Sequence, residues 1–257
     1  MSPEKLGQHF LSDANWQERI EDEIRVDDGV WVEIGSGHGE MTARLAQRAR
    51  KLFAIELDLA LARRLRNVMA RYKNVEVLQS DVLAVDFAKL TGGDRFSIYG
   101  NLPYYITSPI LHRLFEHAER IAAIHIVIQY EVAMRIVAQP ARRDYGYLSV
   151  VSQWFGTPEL VLQIPPEAFS PPPKVDSALV SFHMPGERKN NPGVDENAFL
   201  DFVKECFAQK RKTLRNNLRG RLGTRTEDVL KQAGLTSDAR AEQLTIDQFV
   251  ALFRLAS

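Results

Sequence analysis

Asn101-Leu102-Pro103-Tyr104 is the run of side chains in this 257-residue chain that best fits a reaction. An amine attached to an aromatic base is a poor nucleophile, because its lone pair is delocalised into the ring. Acceptors that draw both of its N–H groups make the nitrogen more tetrahedral and restore its reactivity. The Asn101 side-chain oxygen and the Leu102 carbonyl are two such acceptors, and Pro103 fixes the turn without adding a competing donor. Tyr104 offers a ring on which a base can stack. Methyl transfer to such a nitrogen needs no strong general base, since the proton leaves after the new bond forms, and in-line positioning carries most of the catalysis. Taken alone the tetrapeptide reads first as a proline turn beside a buried aromatic. Its place directly after a predicted strand favours the chemical reading.

A second group of residues suits a nucleoside-bearing cofactor. The predicted strand Val30–Gly35 runs straight into Gly35-Ser36-Gly37-His38-Gly39, followed by a helical segment. Glycines let such a loop turn sharply and approach a ligand closely. A dinucleotide fingerprint would put its third glycine at position 40, where this chain has Glu40, so nicotinamide cofactors are disfavoured. Glu56 ends the next strand, where an acid can accept both ribose hydroxyls of an adenosine. Asp81 ends the third, placed to accept from an adenine amino group, with the Val82 backbone facing the ring edge. Each of these alone is equally a tight turn or a solvated strand end. Three such features at the ends of three successive strands are explained best by S-adenosylmethionine, with Gly35, Gly37, Glu56, Asp81 and Val82 around it.

The elements that position these residues follow from hydrophobic patterning. Val30–Gly35, Leu52–Leu57, Val75–Leu78, Phe96–Tyr99 and Ile124–Gln129 read as buried strands, and Glu40–Ala49, Leu59–Tyr72 and Ser108–His117 as crossover helices. Ser108 reads as the N-cap of the last, with Pro109 at its first helical position. Two further β-like runs, Ser149–Phe155 and Ala178–His183, flank a proline-rich loop and are expected to form an antiparallel edge. The fold expected is α/β: a Rossmann-like, mostly parallel sheet of seven strands with helices on both faces and a small all-helical C-terminal domain. Residues 1–184 form the expected catalytic domain, 185–194 a polar linker and 195–257 the helical domain.

Composition narrows the setting. Lys plus Arg and Asp plus Glu both total 33, so the net charge is zero and bulk electrostatics do not mark a nucleic-acid coat. The single cysteine, Cys206, excludes an intramolecular disulfide, and no Cys/His spacing suggests a metal site. Residues 1–29 are too charged for the apolar core of a signal peptide, and no stretch suits a membrane span. A cytoplasmic protein without metal, monomeric by default, is expected.

With these residues assembled, the chain resembles the ribosomal RNA adenine dimethyltransferases, and within them the bacterial small-subunit (KsgA/RsmA) branch. The likeness rests on Leu6-Gly7-Gln8-His9-Phe10-Leu11, Glu33–Gly39, Glu56-Leu57-Asp58, Asn101–Tyr104, Gln129 with Glu131-Val132-Ala133, Phe169–Ser177 and Gln209–Leu218. Departures are Ser36, where the family loop usually has proline, and a short Met1–Lys5 in place of a strongly basic extension. The resemblance implies dimethylation of two adjacent adenosines in the 3′-terminal hairpin of 16S ribosomal RNA, late in small-subunit assembly. It implies cofactor contacts at Gln8, His9, Leu11 and Asn101 as well, and a flipped adenine held between Tyr104 and Phe169.

Between Lys204 and Arg225 eight cations face one acid, Glu205. Lys210, Arg211, Lys212, Arg215, Arg219 and Arg221 are expected to neutralise RNA phosphates, although a solvated helix face would look the same. Two rival readings stand beside this one. A 23S ribosomal RNA methyltransferase of the antibiotic-resistance type shares the tetrapeptide and the sheet. A ribosome-assembly or transcription factor with vestigial activity would keep the fold but not the intact cofactor acids and Asn101.

Overall fold

The computed structural model describes residues 9–191, 193–209 and 211–257, and these fall into two units. The first holds the described residues up to Ala133 together with Pro158–Met184. After β1 (Phe10–Leu11) and α1 (Ala14–Ile24), strands alternate with helices: β2 (Val30–Ile34), α2 (Glu40–Leu45), β3 (Lys51–Glu56), α3 (Leu59–Met69) and β4 (Val75–Gln79). α4 (Phe87–Leu90), β5 (Phe96–Asn101), α5 (Thr107–Phe115), β6 (Ile121–Gln129) and α6 (Tyr130–Val137) follow. The second unit takes up the chain inside α6 and adds α7 (Tyr147–Phe155); β7 (Thr157–Ile164), β8 (Phe169–Ser170) and β9 (Ser177–His183) return to the first.

The main sheet has seven strands in the order β4-β3-β2-β5-β6-β9-β7. β4, β3, β2, β5 and β6 are mutually parallel, and β9 runs antiparallel to β6. Every residue of β2 is buried, as is β3 beyond Lys51, which is why both read as continuous apolar runs rather than alternating ones. From β2 the chain moves outward to β3 and β4, then returns to place β5 on the other side. That reversal opens a crevice at the carboxyl ends of β2 and β5, where open α/β sheets bind ligands. One face of the sheet packs Trp31, Tyr99, Val127 and Leu179 against Ile20, Ile24 and Leu45.

Two expectations about elements change. Ser149–Phe155 lies within helix α7, not in a strand. Its apolar run is buried almost all round, with Val150, Val151, Trp154 and Phe155 all inside, so it carries no clear period to separate helix from strand. The seventh strand is β7, passed over because Pro158, Glu159 and Gln163 interrupt it; it sits at the outer edge of the sheet, where proline is tolerated. At α5 the helix begins at Thr107 with Ile106 as its N-cap residue, so Ser108 is inside the first turn and Pro109 is its third residue.

The second unit is Met134–Thr157 with Pro185–Ser257, so the division differs from a single cut at 185–194. It contains α7, α8 (Glu196–Cys206), α9 (Leu214–Leu222), α10 (Thr226–Gln232) and α11 (Ile246–Ala256). Aromatic packing explains why α7 belongs here. Trp154 lies 4.5 Å from Phe199, which meets Phe253 at 5.7 Å, and Tyr145 donates its hydroxyl to the Leu244 carbonyl at 2.9 Å. The stretch that reads as a linker is pinned to α7: Gly186 N–H donates to Phe155 O at 2.8 Å, and a Cβ there would stand 2.3 Å from Gln153 O.

Trp154 is 1 % exposed at the centre of this cluster. Its replacement by alanine is expected to cost roughly 3–5 kcal/mol of stability. Chemical denaturation followed by far-UV circular dichroism checks this, with an early transition confined to part of the helical signal.

Candidate active site

Strand register brings the chemical residues together. Ile34 pairs with Ile55 in β3 and with Gly100 in β5, so Gly35, Glu56 and Asn101 follow side by side at one edge. Glu56 in turn pairs with Gln79, two residues before Asp81. The loop after β2 holds Gly35 at φ +73° and Gly37 at φ +54°, a region that strains side chains other than glycine. A Cβ on Gly37 would also stand 2.9 Å from the Phe10 ring.

The Glu56 carboxylate is buried and doubly bonded. One oxygen accepts from Gly37 N–H at 2.9 Å and the other from Asp58 N–H at 2.9 Å. Each oxygen keeps a further lone-pair direction, enough for a pair of hydroxyls. Asp81 accepts from Leu83 N–H through Oδ1 at 2.9 Å, and caps a single 3-10 turn that begins at Val82.

Asn101 Nδ2 donates to the His9 carbonyl at 2.8 Å, across 92 positions of sequence. That bond uses the nitrogen of the amide and orients Oδ1 as the side chain's acceptor. Leu102 N–H donates to Val127 O at 3.0 Å, which fixes the peptide from which the tetrapeptide turns. The Tyr104 hydroxyl pairs with Ser177 Oγ at 2.7 Å, and burial raises its pKa, so the phenol stays neutral. Its ring stacks on His9 at 5.5 Å between centroids, and His9 Nδ1 bonds the Pro171 carbonyl at 2.8 Å.

Two clefts meet here. One is lined by Gly35, Glu56, Leu57, Asp81, Val82 and Tyr105 among others. Its smaller neighbour is lined by His9, Phe10, Asn101, Leu102 and Tyr104, and the two share Gly35, Glu56 and Pro103. The first has acids at its edges and apolar walls, suited to a nucleoside; the second is a short slot ending at the tetrapeptide. Among the described residues no cluster of His, Cys, Asp and Glu could hold a metal ion, and no helix is long and apolar enough to cross a membrane.

Three sequence-derived site residues stand differently. The Phe169 ring, expected opposite Tyr104, is 3 % exposed and packs in the core with Leu11 and Ile164; it lines neither cleft. The antiparallel pairing of β1 with β8 sets Leu11 against Phe169 and turns both side chains inward, so Leu11 offers the clefts no side chain either. Gln8 lies outside the described residues. Conversely, Phe10, Leu57, Tyr105 and Ser177 belong to the site without having been singled out. Phe10, Leu57 and Ser177 lie inside the quoted family segments, so position was available as a signal; Tyr105 had none beyond its place after Tyr104.

In the second unit, Arg221 is held by Glu205 through two bonds of 2.8 Å and lies over Phe202, and Arg215 pairs with Glu227 at 2.7 Å. Arg211, Lys212 and Arg219 carry no such pair among the described residues. Lys210 lies outside the described residues.

A profile of the ribosomal RNA adenine dimethylase family matches residues 3–257. The chain belongs to that family. It is 44 % identical over 254 residues to the ribosomal RNA small subunit methyltransferase A of Acidobacterium capsulatum, covering 97 % of this chain and 89 % of the relative. Among solved structures it is similar to the 23S rRNA methyltransferase ErmE, at 29 % identity and a TM-score of 0.71 over 96 % of this chain and 98 % of that one. A dimethyladenosine transferase from Plasmodium falciparum shares the fold, with a TM-score of 0.83 at 24 % identity over 95 % and 96 % of the two chains. Membership makes the protein a methyltransferase, and makes the clefts at the β2 and β5 ends its candidate reaction site.

Glu33, part of the family loop segment, works from beneath. It is 2 % exposed, accepts from Thr42 Oγ1 and so ties β2 to α2. Burial pushes its carboxyl from 4.5 up to about 7. Such a group favours the fold fully only below its unfolded value; as pH rises from about 4.5 to about 7 the unfolded chain ionises first and stability is lost. The shift corresponds to roughly 3 kcal/mol. Glu33→Gln retains an oxygen for Thr42 and is expected to flatten that decline in a pH series of denaturation midpoints. Identical pH profiles for the two proteins would assign the shift to other groups.

Proposed function

We propose that this protein uses S-adenosylmethionine to dimethylate the N6 amines of two adjacent adenosines in the 3′-terminal hairpin of 16S ribosomal RNA, on a pre-30S particle. The observation that carries this reading is the pair of joined clefts sharing Gly35, Glu56 and Pro103: one has Glu56 and Asp81 at its edge and apolar walls, and the other is lined by Asn101, Leu102 and Tyr104. When bound, the cofactor supplies a sulfonium-borne methyl group as electrophile.

The chain's own residues then have distinct tasks. Glu56 accepts the ribose hydroxyls, Asp81 takes the adenine amino group, and the Gly35–Gly37 backbone lets the ligand approach. His9 lies at the slot, where its ring already backs Tyr104. Asn101 Oδ1 and the Leu102 carbonyl draw the N–H groups of the target amine, exposing its lone pair toward the methyl. Tyr104, neutral and held by Ser177, supports the base by stacking. After transfer the nitrogen sheds its proton to solvent, so no residue has to act as a strong base. The same site accepts the monomethylated product, because one acceptor suffices for the N–H that remains.

The 44 % identity to a small-subunit methyltransferase across nearly the whole chain favours the small subunit over the 23S reading supported by the ErmE likeness. Of the cations expected to meet phosphate, Arg211, Lys212 and Arg219 are held by no ion pair among the described residues. The deciding experiment is methyl transfer from labelled S-adenosylmethionine to unmethylated small and large subunits, followed by nucleoside analysis. N6,N6-dimethyladenosine in 16S RNA is expected; label in 23S RNA alone would favour the resistance-type activity, and none in either would overturn the assignment.

Asn101→Ala is expected to abolish transfer while RNA binding by filter retention stays near the wild-type level. Equal loss of both would remove Asn101 from its assigned role. Neutralising Arg211, Lys212 and Arg219 together is expected to weaken RNA binding and lower the salt slope by about 2, given roughly 0.7–0.9 per phosphate contact. An unchanged slope would move the phosphate contacts off this segment.

A further inference from the structure

The outer face of α3 in the first unit carries charge of one sign. α3 buries Ala62, Leu65 and Met69 against the sheet, in a cluster with Ala54. Arg63, Arg64 and Arg66 are exposed on its other side, and Arg71 and Lys73 follow just beyond its end. Between Leu59 and Val75 there are thus five cations and no acid, in a chain whose charges sum to zero.

A merely solvated helix face gains from alternating signs at i, i+3 and i, i+4, whereas like charges at these spacings cost a few tenths of a kcal/mol each. Here Arg63 and Arg66 stand three apart with no acid within reach on the helix. Arg66 lies in the last turn, where a cation complements the helix dipole, but Arg63 and Arg64 lie too early for that. Three other cations of the same unit are neutralised: Arg44 by Glu21, Arg50 by Asp94 and Lys51 by Glu76. Among the described residues no ion pair holds Arg63, Arg64 or Arg66; Arg66 reaches only Val77 O at 3.3 Å, and Arg71 only the hydroxyl and ring of Tyr72.

Four of the five are arginines, whose planar fork matches phosphate oxygens in pairs. Their position matters as much. α3 starts two residues after Glu56 and Leu57, which line the nucleoside cleft, and Leu57 and Leu59, about half exposed, lie between that cleft and the arginines. The start of α3 thus adjoins the cleft edge, which leaves its arginines near enough for the backbone of an RNA bound at the slot.

We infer that the Arg63-Arg64-Arg66 face of α3 is a second phosphate-binding surface, which holds the backbone of the substrate ribosomal RNA beside the reaction cleft. This rests on the ribosomal RNA reading given above. The contact is to the backbone, so it positions the RNA without reading its sequence.

The test compares wild type with R63Q/R64Q/R66Q as full-length protein, against an unmodified, protein-free 16S rRNA transcript by filter binding from 50 to 200 mM salt. The variant is expected to bind about tenfold more weakly at the low-salt end, with a slope smaller by about 2, since roughly 0.7–0.9 is lost per phosphate contact. Cofactor binding by equilibrium dialysis should be unchanged, and R63K/R64K/R66K should restore most of the RNA affinity. On unmethylated small subunits the glutamine variant should raise KM with kcat retained. If wild type fails to methylate small-subunit RNA at all, the function proposed above falls. If wild type methylates it and the variant keeps the wild-type salt slope, the inference about α3 falls alone. Normal binding to the transcript with a raised KM on intact subunits would give the face to a ribosomal protein and overturn its assignment to RNA.

Discussion

The Glu56 carboxylate is the interaction on which the rest of the site depends. A buried charge is costly unless it is hydrogen-bonded, and Glu56 meets that demand by accepting from Gly37 N–H on one side and Asp58 N–H on the other. These two bonds join the glycine loop after β2 to the start of α3 after β3, so the floor of the nucleoside cleft is built from neighbouring strands in one register. The same register sets Asn101 beside Gly35. The group proposed to hold a ribose is therefore also the group that shapes the cleft.

A second tie closes the site from a distant part of the sequence. His9 gives its carbonyl to Asn101, bonds Pro171 through its ring and stacks on Tyr104. β1 and β8 pair antiparallel beneath it, which turns Leu11 and Phe169 into the core. The beginning of the described chain and the proline-rich loop thus act together as a brace on the catalytic turn. With Nδ2 of Asn101 occupied by that brace, the amide presents an acceptor where amine chemistry needs one. A residue whose nitrogen and oxygen are used in opposite directions has little rotational freedom left, which favours in-line positioning.

Charge in this protein is organised locally. A net charge of zero hides the α3 face in the first unit and the Arg211–Arg219 region in the second. The structure sorts these cations by what already neutralises them. Arg215 and Arg221 are engaged by Glu227 and Glu205, whereas Arg63 and Arg64 are not paired among the described residues. Sequence counts treat all of them alike; only the unneutralised ones retain their full attraction for phosphate.

The amino-acid sequence by itself determined the parallel sheet, the glycine loop, the acids at the strand ends and the tetrapeptide. Each of these depends on local pattern or on spacing of a few residues: fully buried strands are continuous apolar runs, and a loop between strand and helix needs its own glycines. The tertiary structure alone decided matters that rest on partners far apart in the chain. Ser149–Phe155 became helix because Trp154 and its neighbours bury against aromatics of α8 and α11, and an apolar segment enclosed on all sides carries no period to reveal its own form. Phe169 went inward because strand pairing with Leu11 fixed which way its ring faces. The brace of Asn101 by His9 spans 92 residues, and no local rule foretells such a bond. Spacing along the chain names the groups that can do chemistry; register and packing settle which of them meet, and which of their atoms remain free.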